Sequence, residues 1–246
     1  MELNIIHLSP ELMSLYGEYA NLSVLRRHLE DLGVQVTVTP VTFEDEKDFS
    51  SADLIYMGAG TERSQKAVLQ DLLPHREALA KASERGALVF FTGNAMEVLG
   101  QSVTDAEGRV WEGLGLAEFA TVETRQRDPQ DVIARPILWQ ETAVGFMNKC
   151  SRTTGVEHPL FSSLDMGFGN EAPGDAEGYC NESLLATHIT GPVLAKNPAF
   201  TAWLVRRFFE DRDWQLPEQL PVYPHEEAAY QVTLRELSAR LNRQTT

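Results

Sequence analysis

The chain has 246 residues, of which 43% are hydrophobic and 23% are charged, a composition typical of a globular protein that buries a sizeable core. It carries 36 acidic against 21 basic residues, and a net charge of −15 without a compensating basic stripe argues against a nucleic-acid partner. Two cysteines, Cys150 and Cys180, without a C-x-x-C spacing predict neither a disulfide framework nor a zinc site. Because the N-terminus lacks a signal-peptide pattern and no apolar run is long enough to span a bilayer, we expect a cytoplasmic protein without membrane insertion.

The first half of the chain alternates short apolar runs with helical patterns. Strands are expected over 3–8, 34–38, 54–57 and 87–91, and helices over about 21–32 and 62–83. Asn21 is expected to cap the first helix, Gly33 to end it, and Pro74 to interrupt the second. This alternation predicts an α/β fold with a mostly parallel central sheet and helices on both faces.

The second half changes character at Val110. Short segments punctuated by glycine predict a β-rich layer, followed by a helix from Ala199 to Asp211. A proline-rich connector at 216–224 leads to a closing amphipathic helix at 226–243. Since we find no internal repeat and no dividing linker, we predict a single domain over residues 1–246, with the connector and helix occupying about 212–246.

Two strand ends carry small residues where an α/β sheet binds its ligands. These are Gly58, Ala59 and Gly60 after one strand, and Gly93 and Asn94 after another. Backbone N–H groups and a following helix N-terminus there can stabilise an oxyanion or hold a carboxylate, although tight turns alone also explain the glycines. Neither a dinucleotide fingerprint nor a P-loop is present, so no cofactor and no metal are expected.

Seven short motifs occur in one order along most of the chain, up to about Asn197. They are Leu15-Tyr-Gly-Glu-Tyr-Ala-Asn21, Gly58-Ala-Gly-Thr-Glu-Arg-Ser-Gln65, Glu112-Gly-Leu-Gly-Leu116, Gly145-Phe-Met-Asn148, Ser151-Arg-Thr153, Gly167-Phe-Gly-Asn170 and Gly191-Pro-Val-Leu-Ala-Lys-Asn197. Together they resemble class I glutamine amidotransferases of the cobyric acid synthase type, and in particular the amidotransferase subunit of lipid II isoglutaminyl synthase.

The resemblance implies a three-layer, flavodoxin-like fold and a thiol chemistry. In the family, a cysteine at a strand-to-helix elbow attacks the side-chain amide of glutamine while a histidine serves as its base. The released ammonia passes to a synthetase, which in the lipid II system resembles a Mur ligase. A Mur-ligase-like synthetase subunit, and glutamine or another small carboxylate, are therefore the expected partners.

This sequence departs from the family pattern at both chemical positions. The elbow motif Cys-Gly-Gly-Tyr-Gln reads Gly-Asn-Ala-Met-Glu here, which places Gly93 at the nucleophile. The base motif Tyr-Leu-His-Gly-Pro places Thr190 at the base, with His188 two residues earlier. On a strand these two residues share a face, so His188 is a candidate to reach the crevice, although it is displaced along the chain.

Other residues are candidates to replace the missing nucleophile and base, or to bind a ligand. Cys150, Cys180, Glu97, Asp53 and Glu62 are more consistent with structural or solvated roles than with catalysis. Arg63 matches the arginine in the family's Gly-Gly-Gly-x-Asp-Arg-Glu-Gln segment, in which Glu62 replaces the aspartate. Arg127 aligns with an arginine that in the lipid II enzyme is implicated in holding glutamine. A guanidinium fits an α-carboxylate, but a surface ion pair is the competing interpretation for each.

Two functional hypotheses follow from these departures. The first is a catalytically degenerate amidotransferase-like protein that acts as a partner or ligand-binding subunit. The alternative is an active hydrolase or amidotransferase that uses non-standard residues on the same scaffold, such as Glu97 or His188, or whose nucleophile has been misplaced. Ammonia release from glutamine separates them.

Overall fold

A computed structural model describes residues 1–244 of the chain. Its strands are β1 (Glu2–Leu8), β2 (Gln35–Val41), β3 (Leu54–Met57), β4 (Leu88–Thr92), β5 (Ser102–Thr104), β6 (Val110–Glu112), β7 (Ala120–Pro136), β8 (Ala143–Thr154), β9 (Phe161–Met166), β10 (Tyr179–Cys180) and β11 (Leu184–Thr187). Its α-helices are α1 (Tyr19–Asp31), α2 (Glu62–Leu72), α3 (Arg76–Glu84), α4 (Val193–Lys196), α5 (Pro198–Glu210) and α6 (Pro224–Gln244).

The main sheet has the strand order β10-β11-β4-β3-β1-β2. All its neighbouring strands run parallel except the pair formed by β10 and β11. Parallel neighbours need crossover connections, which helices α1, α2 and α3 supply in the first half of the chain. The carboxyl ends of β3, β4 and β11 therefore meet at one edge of the sheet.

Both faces of the main sheet are covered by helices, because side chains alternate along each buried strand. On one face Leu3, Tyr56 and Phe90 pack with residues of α1 and α5. On the other face the neighbouring positions pack with residues of α2 and α3, as Phe91 and Leu69 do. This arrangement confirms the predicted three-layer α/β fold.

The β-rich segment expected after Val110 forms a second sheet. Its strands have the order β6-β5-β7-β8, and β9 pairs with β7. The long strands β7 and β8 are antiparallel, and their register shifts between Glu123 and Asp128. That irregularity bends β7 beside the edge of the main sheet where the candidate site lies.

Several local expectations are confirmed and one is wrong. The predicted second helix is divided into α2 and α3 by a 3-10 turn at Leu73–His75, where Pro74 stands. The first helix begins at Tyr19 and not after Asn21, which is buried inside it and donates from its amide to the Tyr56 hydroxyl at 2.9 Å. The local sequence favours a cap at Asn21, because the residues that it contacts in the core are remote in the chain and leave no local signal.

The C-terminal part of the chain forms α5, the proline-rich connector and α6. Helix α6 packs Tyr230 and Leu237 against Ile133 and Val144 of the second sheet. Residues 245 and 246 of the predicted single domain lie outside the described residues. Within residues 1–244, no helix is both long and apolar enough to cross a membrane.

Candidate functional site

Gly93 lies at a sharp turn directly after β4. Its φ of +63° falls in the left-handed region, which favours glycine because it has no Cβ. The helix that follows the strand is a 3-10 helix, Gly93–Leu99, which starts at this residue. The elbow position itself is where the sequence predicts it, at the carboxyl end of a central parallel strand.

The space that a side chain at position 93 needs is already filled. A β-carbon built on Gly93 would stand 2.5 Å from the Ala59 β-carbon and 2.9 Å from the Thr190 γ-methyl. Ala59 is the middle residue of the turn after β3, at a position where the family motif has glycine. The turns after β3 and β4 are also joined through Asn94, whose side chain accepts from Gly60 N–H at 2.9 Å and donates to its carbonyl oxygen at 3.0 Å.

A cavity of about 250 Å³ opens beside these turns. Of the binding candidates read from the sequence, Ala59, Gly60, Asn94, Arg127 and His188 line it, together with Gly93 and Thr190. Gly58 and Arg63 do not line it. The remaining lining residues are Leu15, Tyr16, Thr61, Glu62, Glu97, Glu123, Asn148, Lys149 and Cys150.

Arg127 stands at the rim of the cavity, where it pairs with Glu62. Its guanidinium donates to the Glu62 carboxylate at 2.6 Å and to the Asn148 carbonyl oxygen at 2.9 Å. Burial opposes the charged form, but the hydrogen bond to Glu62 and the charge of that carboxylate together outweigh it, so the pKa of Arg127 is raised. Arg127 therefore forms a surface ion pair, which is the interpretation that competes with carboxylate binding.

Glu97 forms the floor of the cavity and is 2% exposed, so it is not a solvated carboxylate. It accepts from the Ser151 hydroxyl at 2.5 Å and from the Gln65 amide at 2.7 Å. Burial favours the neutral acid, but the neighbouring His188 imidazole and these hydrogen bonds outweigh it, so the pKa of Glu97 is lowered.

His188 follows β11 and lies between two buried carboxylates. Its Nδ1 is 3.1 Å from Glu177 Oε1, and its Nε2 is 3.4 Å from Glu97 Oε1 without a hydrogen-bond geometry. Glu177 also accepts from the His188 backbone N–H at 2.7 Å and from the Thr187 hydroxyl at 2.6 Å. Burial opposes the charged form of Glu177, but the His188 imidazole and the Thr187 hydroxyl outweigh it, so the pKa of Glu177 is lowered.

Neither cysteine has the surroundings of a nucleophile. Cys150 Sγ lies 3.5 Å from Glu62 Oε1, and burial together with that carboxylate raises the pKa of the thiol to about 11. The Cys180 thiol donates to the Pro159 carbonyl oxygen at 3.4 Å, does not line the cavity, and has a pKa raised by burial. Both observations agree with the structural roles expected for them.

Two lysines complete the charges around the floor. Lys149 Nζ donates to the Gly169 carbonyl oxygen at 2.5 Å, and burial lowers its pKa to about 8 although Glu177 and Glu97 oppose this. Lys66 forms an ion pair with Glu123, which lines the cavity. The floor is thus an internally paired cluster of carboxylates, lysines and one imidazole.

Glu18 joins the two segments that carry Gly93 and Thr190. Its buried carboxylate accepts from the Thr92 hydroxyl on one side and from Gly191 N–H, at 2.9 Å, on the other. The Tyr56 hydroxyl is 3.3 Å from the same carboxylate. Burial raises the pKa of Glu18 to about 7, although the hydrogen bonds from Thr92 and Gly191 act in the opposite direction.

Of the three carboxylates considered as catalytic replacements, Asp53 is the one that lies far from the cavity. It stands before β3, at the opposite end of the strand, where it accepts from Asn4 N–H at 2.6 Å and pairs with Arg212 at 2.7 Å. Its role is to tie β1 to the segment after α5. No group of three or more His, Cys, Asp or Glu side chains in residues 1–244 is arranged to hold a metal ion.

Residues 4–198 match the sequence profile of the CobB/CobQ-like glutamine amidotransferase domain. The chain belongs to this family. It is 29% identical over 225 residues to the GatD subunit of lipid II isoglutaminyl synthase (glutamine-hydrolyzing) from Streptococcus pneumoniae, an alignment that covers 90% of this chain and 86% of that one. The subunit of the same name from Staphylococcus aureus is 27% identical over 209 residues, with 85% of each chain covered.

Solved structures agree with this family at the level of the fold. A crystal structure of a glutamine amidotransferase superposes with a TM-score of 0.51 at 13% identity, covering 85% of this chain and 98% of that chain. A glutamine amidotransferase from Thermotoga maritima gives the same TM-score at 9% identity, covering 97% of each chain. The class I amidotransferase fold expected from the motifs is confirmed.

Sequence reasoning missed part of the site within this family fold. Glu18 stands in the first quoted motif, which was a signal available in the sequence, and Ser151 stands in another. Glu177 and Lys149 carry no motif that identifies them as members of the floor. They meet Glu97 and His188 only because β8 and the segment before β10 pass beneath the edge of the main sheet.

Proposed function

We propose that this CobB/CobQ-like domain is a glutamine amidotransferase-like subunit that no longer hydrolyses glutamine and that acts by binding a synthetase partner. The observation that carries the proposal is the filled space at Gly93. The nucleophile position has no side chain, and the Ala59 and Thr190 methyl groups occupy the volume that a side chain there requires. Position 190, where the family has its histidine base, holds threonine, and thiol catalysis needs both a nucleophile and a base.

The remaining thiol near the cavity does not take over the chemistry. Cys150 is held beside Glu62, and its raised pKa leaves almost no thiolate at neutral pH. The floor carboxylate Glu97 is committed to Ser151 and Gln65. These contacts support a scaffold that keeps its shape without a reactive centre.

The curated relatives support a role within a complex. Both are named as subunits of a lipid II isoglutaminyl synthase, and this chain aligns with 86% and 85% of their lengths. We infer a Mur-ligase-like synthetase as the partner of this chain, bound by a surface that it shares with those subunits. The peptidoglycan context for this chain is part of the same proposal.

The test measures ammonia release from glutamine by the purified full chain, alone and with the Mur-ligase-like protein whose gene lies nearest. The Streptococcus pneumoniae subunit with its own synthetase serves as the positive control. We expect no release above the buffer rate but a stable complex with the synthetase in size-exclusion chromatography. Release that disappears in Cys150→Ala would overturn the proposal and identify that thiol as the nucleophile.

A second candidate function rests on the pair formed by His188 and Glu177. A carboxylate that orients an imidazole is the base half of a hydrolase, and His188 lines the cavity. Hydrolysis of an amide or ester that survives mutation of both cysteines and is abolished by His188→Gln would support it. The buried position of Nε2, which faces the Glu97 carboxylate at 3.4 Å, favours the first function.

A further inference from the structure

Arg127 brings a positive charge to the rim of the cavity, and a carboxylate of the same chain lies against it. Glu62 Oε1 accepts from Arg127 Nη2 at 2.6 Å, the distance of a charge-assisted hydrogen bond. Glu62 is the first residue of α2, and both residues line the cavity. The chain thus places its own carboxylate on the guanidinium that would hold the carboxylate of a ligand.

Further contacts hold the two partners of this pair in place. Arg127 Nη1 donates to the Asn148 carbonyl oxygen at 2.9 Å, and the Asn148 side-chain amide donates to the Tyr16 hydroxyl at 2.8 Å. On the other side, the Cys150 thiol donates to Glu62 Oε1 at 3.5 Å. The guanidinium is therefore anchored on β8 while Glu62 pairs with its Nη2 nitrogen.

A carboxylate that enters the cavity has to compete with Glu62. It either displaces Glu62 from Arg127 or uses the remaining donors of the guanidinium and lies beside a second negative charge. Both routes cost free energy, since the first breaks an ion pair and the second brings like charges together. The side chains of Arg127 and Glu62 are 41% and 33% exposed, and an ion pair this accessible is weak enough for a ligand to displace.

The length of the side chain at position 62 is what allows the contact. In the family segment Gly-Gly-Gly-x-Asp-Arg-Glu-Gln, this position is aspartate, whereas here it is glutamate. An aspartate lacks one methylene group, so from the same backbone its oxygen would end about 1.5 Å short. A hydrogen bond of 2.6 Å would then lengthen beyond the range in which such bonds form.

We propose that Glu62 is an internal ligand of Arg127 that competes with small carboxylates for the cavity, and that the length of the side chain at position 62 sets the strength of this exclusion. The small carboxylate expected from the sequence therefore binds weakly to the wild-type chain and more tightly once Glu62 is removed. This proposal goes beyond the proposed function, since it concerns access of ligands to the cavity and holds whether or not a synthetase is bound.

The experiment is a calorimetric and NMR titration of the full chain with sodium acetate, and then with L-glutamine, at constant ionic strength. Glu62→Gln keeps the size of the side chain and removes its charge, so acetate should bind about tenfold more tightly than to the wild type. Glu62→Asp keeps the charge but shortens the side chain, and it should tighten binding by a smaller factor. Equal acetate affinities in the wild type and Glu62→Gln, or no acetate binding to either, would overturn the proposal. An unchanged affinity in Glu62→Asp would overturn the role assigned to side-chain length.

Two further variants assign the effect to this contact. Glu112→Gln removes the same charge from an exposed glutamate that pairs with Arg76 at 2.5 Å outside the cavity, so it should leave the acetate affinity unchanged. A gain in Glu112→Gln equal to that in Glu62→Gln would mean that net charge alone acts, and would contradict the proposal. Arg127→Gln, added to Glu62→Gln, should abolish the gain. A gain that persists without Arg127 would place the acetate elsewhere and overturn the assignment of Glu62 as the internal ligand of this arginine.

Discussion

The β-carbon of Ala59 stands where a side chain at Gly93 would begin, 2.5 Å from an ideal β-carbon built there. In the family motifs the first of these positions is glycine and the second is the nucleophilic cysteine. The two differences are therefore complementary, since a methyl group on the turn after β3 fills the volume freed at the elbow after β4. Restoring the nucleophile requires a change on both turns.

Gly93→Cys alone should lower the free energy of unfolding by about 3 kcal/mol, because it overpacks the site and places a non-glycine residue at a φ of +63°. In the Ala59→Gly background the same change should cost about 1–2 kcal/mol less. Urea unfolding of the two single variants and the double variant measures this coupling. Equal costs in the two backgrounds would show that Ala59 does not obstruct the elbow.

Glutamine hydrolysis should return only when the thiol has both space and a base. We expect no ammonia release from Gly93→Cys or from Ala59→Gly with Gly93→Cys, since Thr190 cannot accept the thiol proton. Adding Thr190→His should give a low rate that iodoacetamide abolishes. Activity in the single variant would mean that another group already serves as the base.

Glu18 should make stability depend on pH in an identifiable way. Its pKa rises from 4.5 to about 7 on folding, so the folded chain keeps a proton that the unfolded chain has released between these values. The contribution of Glu18 therefore falls as the pH rises through this window, by about 3 kcal/mol at most. Since the pKa of His7 is lowered to about 4 by burial, its contribution has the opposite slope.

The difference in unfolding free energy between wild type and Glu18→Gln isolates this group. We expect wild type to lose stability relative to the variant as the pH rises from 4.5 to 7, and the difference to stay constant above pH 8. Glu84→Gln, an exposed carboxyl on α3, should show no such trend. A pH-independent difference for Glu18→Gln would mean that this carboxyl titrates alike in both states.

Glu177→Gln should be one of the more destabilising single changes at the site. The carboxylate is fully buried and accepts from the Thr187 hydroxyl, the His188 backbone and the His188 ring. Removing the charge from a buried, hydrogen-bonded pair costs about 3–5 kcal/mol. Thermal and urea unfolding measure the loss, and Glu157→Gln, an exposed glutamate in the loop after β8, is the control. A decrease in the free energy of unfolding of less than about 1 kcal/mol is typical of an exposed ion pair and would contradict a buried, hydrogen-bonded role for Glu177.

Cys150 should alkylate slowly in the native protein. A thiol whose pKa is raised from 9.0 to about 11 has about 100-fold less thiolate at neutral pH than one at the reference value. In a Cys180→Ser background, the iodoacetamide rate followed by mass spectrometry should increase in Glu62→Gln, because the adjacent carboxylate contributes to the shift. Burial is the larger cause, so the rate should remain below that of the unfolded chain. A native rate equal to the unfolded one would contradict the assigned surroundings.

The sequence by itself determined the α/β class, the family and the two vacated positions. Strand alternation, Pro74 and the glycines after β3 and β4 act through local backbone preference, which needs no knowledge of distant residues. The family resemblance, and not backbone preference, assigned Gly93 to the nucleophile position and Thr190 to the base position. The same resemblance suggested Arg127 and His188 as ligand-binding candidates, and both line the cavity.

Only the tertiary structure decided what those residues do. Asn21 looks like a helix cap in sequence, but it is buried because Tyr56 lies against it. Glu177 has no local signature, and its meeting with His188 depends on two segments that cross beneath the sheet. The filling of the Gly93 site by Ala59 depends on adjacent parallel strands, whose carboxyl ends share one edge although 34 residues separate the two positions in the chain. Packing distances and unpaired buried atoms exist only between such remote segments, so the loss of space at the elbow could not be derived from either motif alone.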